Sequence, residues 1–104
     1  MNEYPQLNLK EEGYKIGQII CVDGHKQNPK RVIFSERLGC FALQNKGGER
    51  GSEWEHFGNF TEHDKGLRGS LDDCFTLPLH AKNSIEVIGF QEVLSESGRE
   101  PVAS

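Results

Sequence analysis

Val32-Ile33-Phe34-Ser35-Glu36-Arg37-Leu38-Gly39-Cys40-Phe41-Ala42-Leu43-Gln44 decides how this chain folds. Two apolar runs flank a polar stretch that ends in a glycine. Successive side chains of a strand point to opposite faces, so Val32 and Phe34 share one face, and so do Phe41 and Leu43. Residues 35–39 have the length and composition of a tight hairpin turn. The segment therefore predicts two half-buried strands facing each other.

Toward the N-terminus, Tyr14 to Val22 predicts a further strand. Tyr14, Ile16, Ile20 and Val22 fall on one face, interrupted by Gln18, and Lys15, Gly17, Ile19 and Cys21 fall on the other. Asp23-Gly24 is a strong turn signal, since glycine accepts positive φ at no steric cost. Residues 25–30, with Pro29, read as an exposed loop. Residues 1–13 read as an irregular lead-in or a short edge strand, anchored by Tyr4, Leu7 and Leu9.

Toward the C-terminus, Cys74 to Leu79 predicts a strand with Phe75, Leu77 and Leu79 on one face. Pro78 lacks the N–H that a ladder needs, which places this segment at a sheet edge or a strand end. Asn83-Ser84 turns the chain into Ile85-Glu86-Val87-Ile88-Gly89-Phe90, the last strong strand. Its apolar phase switches: Ile85 and Val87 lie on one face, Ile88 and Phe90 on the other. A bulge or bend at Gly89 accounts for the switch. Residues 95–104 are small, polar and charged, and read as a flexible C-terminal tail. About five short strands separated by turns, with no sustained helical period, predict an all-β domain over residues 1–94, folded as a small antiparallel barrel.

Residues 45–73 differ from the rest. Seven of the twelve glycines lie between residues 39 and 69, and charges of both signs are mixed through the stretch. Each glycine penalises a helix by about 1 kcal/mol, so the segment reads as a long ordered loop pinned by Trp54, Phe57, Phe60 and Leu67. Long loops in compact domains often carry function. Trp54, Phe57 and Phe60, with Arg50 and Arg68 alongside, are the candidate binding residues, suited to anchoring a partner protein or to stacking on the bases of a single-stranded nucleic acid. The same aromatics also suit a structural role as the loop's own anchors into the core.

Three pieces of the chain resemble the YopX-like domain family of phages and prophages. Glu12-Gly13-Tyr14-Lys15-Ile16-Gly17-Gln18-Ile19-Ile20 is similar to that family's opening glycine turn and strand. Val32-Ile33-Phe34 through Gly39-Cys40-Phe41-Ala42-Leu43 is similar to its hydrophobic hairpin, and Ser84-Ile85-Glu86-Val87-Ile88-Gly89 to its terminal strand. Order and spacing agree over residues 9–94, with a break over 46–73. Gln18 stands where the family has an acid, and Phe90-Gln91-Glu92 replaces an asparagine-rich ending. The resemblance implies a phage-type protein with a small barrel like the Src-homology-3 fold. It implies no particular activity.

Composition narrows the functional classes. The length of 104 residues fits one domain. Twelve basic residues are outnumbered by 16 acids, for a net charge of −4, which disfavours a counterion-releasing nucleic-acid binder. No basic start followed by an apolar core marks a secretory signal, and no apolar run approaches the roughly 20 residues of a membrane span. Three cysteines, Cys21, Cys40 and Cys74, form no paired spacing and fit free thiols in a cytoplasmic protein.

Chemistry-bearing groups are scattered. Cys21-x3-His25 and Cys74-x5-His80 would together make four ligands, but zinc pairs are normally tighter and more regular, so no metal site or cofactor is expected. Glu53-Trp54-Glu55-His56 and His63-Asp64 set acids beside imidazoles. Sequence neighbours on a strand diverge rather than converge on a substrate, so no catalytic residue is expected either. The sequence is read as an interaction domain that binds a host or phage protein through residues 45–70. The alternative is a single-stranded nucleic-acid-binding module using the same loop.

Overall fold

The computed structural model describes residues 5–46 and 71–101. Five antiparallel strands make one sheet: β1 (Gln18–Val22), β2 (Lys30–Ser35), β3 (Cys40–Asn45), β4 (Cys74–Phe75) and β5 (Ile85–Phe90), in the spatial order β4-β3-β2-β1-β5. The all-β class and the strand count are as the sequence predicts. The sheet is not closed into a barrel: β4 and β5 stand at opposite edges and do not pair with each other.

The expected hairpin is the best-formed part. Every residue from Lys30 to Ser35 pairs with a residue of β3, from Lys30 with Asn45 to Ser35 with Cys40. The Gly39 N–H donates to Ser35 O at 2.7 Å, and the Leu38 N–H to Ser35 Oγ at 3.0 Å, which closes the turn. After β1, Asp23 and Gly24 both take positive φ (56° and 75°), and the His25 N–H donates to Val22 O at 3.0 Å. That is the backbone of a type I′ turn, whose two central residues both need left-handed conformations.

The core explains why the sheet stays open. Ile19, Ile20 and Cys21 are all buried, as are Val32 with Ile33, and Phe41, Ala42 and Leu43. Strands buried on both faces need a covering layer on each side. On one face Leu7 and Leu9 of the N-terminal segment pack with Ile20, Val32, Phe41 and Leu43. On the other, Val93 packs with Ile33, Ala42 and Cys74, and Leu71 adds to that cluster. The fold is thus a sheet between two irregular segments, not a ring around one interior.

Two strands are shorter than the sequence suggests. β1 begins at Gln18 rather than Tyr14, because Gly17 sits at φ +101°, outside strand geometry. Its N–H donates to Val32 O and its carbonyl accepts from the Gln91 N–H, both at 2.8 Å, so the chain enters the sheet through a kink. β4 ends at Phe75, and the chain reaches a single bridge between Pro78 and Gln6 before a 3-10 helix over Leu79–Ser84. This helix takes the place of the expected strand end and turn. The Leu7 N–H donates to Leu77 O and the Leu79 N–H to Pro5 O, so the lead-in does run beside this edge.

Of the segment read as a tail, Glu96–Gly98 forms a second 3-10 helix capped by Ser95. Gly98 is buried, and a Cβ there would lie 2.7 Å from Val93 Cγ1 and 3.0 Å from Leu71 Cδ2. Lys10 pairs with Glu100 and so ties the segment over one face to the segment over the other. No helix among the described residues is long and apolar enough to cross a membrane.

Tyr14 packs against the Leu7–Leu9 cluster, where burial first and the Glu12 carboxylate second push its hydroxyl above the ordinary 10.0. A tyrosine whose folded value lies above its unfolded one stabilises the fold fully below pH 10. That contribution is lost as pH rises through the folded value. Burial of Lys46 lowers its ammonium from 10.5, which acts with the opposite sign over the alkaline range. Tyr14→Phe is therefore expected to flatten the alkaline fall in stability. Urea midpoints of the two proteins at pH 8 and pH 11 check this, and parallel losses would refute it.

Candidate interaction surface

β5 is the edge where the structure exposes apolar side chains. Among the described residues it pairs only with β1. The register slips once: Ile20 pairs with Val87, but Ile19 pairs with Gly89. Two steps along β5 match one step along β1, so Ile88 is the extra residue of a β-bulge, next to the glycine where the sequence predicts one. The bulge has a consequence for side-chain direction. Val87 opposes Ile20 and Phe90 opposes Gln18, two residues of β1 that share a face. Val87 and Phe90, out of phase in the sequence, therefore emerge on the same side of the sheet.

Both are open to solvent, Val87 at 46 % and Phe90 at 63 %. The Phe90 ring lies over Gly17, where a Cβ would come within 2.7 Å of Cε2 and 2.8 Å of Cζ. The ring is thus seated on backbone and presents its outer face. Leu94, four residues on, is 70 % exposed. The neighbouring charge is Glu86, which stands 4.0 Å from Lys26 and accepts from Cys21 Sγ at 3.9 Å.

The buried side of the same region is polar. Arg31 is fully buried, and its Nε donates to Gln44 Oε1 at 2.9 Å, across the β2–β3 pair. Its Nη1 donates to Glu92 O at 3.1 Å and Gln91 O at 3.4 Å. Arg31 thereby holds the chain that leaves β5 against the face opposite Val87 and Phe90. Nothing local in the sequence signals this role, because a lone arginine beside Lys30 reads as the solvated end of a loop.

Trp54, Phe57, Phe60, Arg50 and Arg68 lie outside the described residues, as do His56 and His63. The four potential zinc ligands are not brought together. Cys21 and Cys74 are on strands separated by β2 and β3, and His25 and His80 are exposed. Cys74 instead donates to Ser35 Oγ at 3.2 Å, while Arg37 Nη2 donates to Cys74 O at 2.7 Å and anchors the hairpin turn to β4. Among the described residues no group of three or more His, Cys, Asp or Glu side chains is placed to hold a metal ion.

A search of family models, curated proteins and solved structures finds no match to this chain. Val87 and Phe90 went unrecognised as surface residues for a plain reason. A strand of Ile, Val, Ile and Phe looks like core, and its place at the sheet edge is set by the other four strands. The phase switch at Ile88-Gly89 was the one available signal that Phe90 keeps company with Val87.

Proposed function

We propose that this chain is a small phage-type interaction domain, similar to the YopX-like family, which binds a host or phage protein and works by contact rather than catalysis. The observation that carries the reading is the pair Val87 and Phe90, exposed together on the edge strand β5 by its bulge. A lone exposed leucine has no meaning, but large apolar side chains grouped on one edge are characteristic of contact surfaces. A rigid aromatic ring seated on a neighbouring backbone loses little freedom on binding, which suits an anchor residue. Trp54, Phe57 and Phe60, with Arg50 and Arg68, supply a second set of contacts on sequence grounds. The bulge itself opposes simple strand addition, because an irregular edge templates a partner strand poorly. Recognition is therefore through side chains, not through an extended ladder.

Capture from bacterial lysate on the immobilised chain, followed by affinity measurement on the retained protein, tests the proposal. Phe90→Asp is expected to weaken binding at least tenfold, because losing an anchor residue of hot-spot rank costs about 2 kcal/mol or more, and about 1.4 kcal/mol is already tenfold. Its melting temperature should stay close to that of the parent, since the ring is mostly in solvent. Retention that survives Phe90→Asp, Val87→Asp and Trp54→Ala together would overturn the reading. Binding of a labelled oligothymidylate that weakens as salt rises would replace it with the nucleic-acid alternative.

A further inference from the structure

We draw no further inference here: the strongest candidate, the cleft of about 290 Å³ between the N-terminal segment and the β2–β3 hairpin, walled by Leu38, Cys40 and Phe41, carries nothing, because the Gln6, Asn8 and Thr76 side chains that line it are already hydrogen-bonded within the chain and nothing in the structure shows what covers its apolar side.

Discussion

Arg31→Ala is expected to cost about 2–5 kcal/mol of folding stability, the combined cost of leaving buried neutral acceptors without their donor and of opening a cavity. The side chain is fully buried in β2 and donates to Gln44 Oε1, Gln91 O and Glu92 O. Truncation deprives the buried Gln44 amide and two backbone carbonyls of a charged donor, and each acceptor left unsatisfied costs about 1–3 kcal/mol. It also empties the volume that the two outer methylenes and the guanidinium fill. Water reaches Glu92 more easily than Gln44, so the Gln44 contact carries most of the loss. A typical domain has only about 5–15 kcal/mol in total, so the variant should be marginal at 37 °C. The loss should also be local in a defined way. Val93 and Gly98 are held on the sheet by the same segment that Arg31 pins, so amide exchange over residues 91–98 should accelerate before that of β2 and β3. Arg31→Met, which keeps most of the volume without the donors, should fall between the two. Urea unfolding at neutral pH gives the first quantity and hydrogen-exchange mass spectrometry the second. An Arg31→Ala protein with an unchanged midpoint and unchanged exchange over 91–98 would remove the guanidinium from the account of this fold.

What the sequence made legible, and what it hid, follow from the range over which each signal acts. The β2–β3 hairpin was readable to within two residues because its signals are local: alternating faces, a five-residue polar gap and a glycine at the close. The bulge in β5 was readable too, since a two-residue period that changes phase beside Gly89 has few other solutions. The open sheet was written in the same residues as the barrel. Ile19-Ile20-Cys21 and Phe41-Ala42-Leu43 are continuous apolar runs, and a strand covered on one side only needs every second residue to be apolar. Reading them as alternating faces around one interior discarded Ile19, Cys21 and Ala42, which fill the other face. The shortened β1 was hidden because Gly17 keeps the alternation of Tyr14 to Val22 intact on paper while its φ breaks the strand. Arg31 was hidden for a longer-range reason: its partners Gln91 and Glu92 are some sixty residues away in the chain, and no local pattern announces a charge that will be buried.

Gly17→Val is expected to destabilise the domain by about 2–3 kcal/mol, with strain at an unsuitable backbone conformation accounting for about 1–3 kcal/mol by itself. The residue sits at φ +101°, where a β-branched side chain is a genuine outlier. The kink cannot relax cheaply, because its N–H and carbonyl bond to Val32 and Gln91 on either side and so tie the start of β1 to the neighbouring chain segments. A second contribution is steric and of a different kind. The Cβ would meet the Phe90 ring at 2.7 Å and Gln91 O at 3.2 Å. The ring is largely in solvent and can swing aside, whereas the carbonyl is held by the buried Arg31, whose Nη1 donates to it. Comparing Gly17→Ala in the parent and in a Phe90→Ala background separates the two effects, since the double-mutant difference isolates the ring contact. The backbone share should persist without the ring, and the ring share should vanish. The displacement of the ring links fold to function, because Gly17→Ala should then also weaken capture of a partner that uses Phe90, even at temperatures where the variant remains folded. A Gly17→Val protein as stable as the parent would mean that the entry to β1 tolerates an ordinary backbone conformation. The seat beneath Phe90 would then have no claim to hold the ring in place.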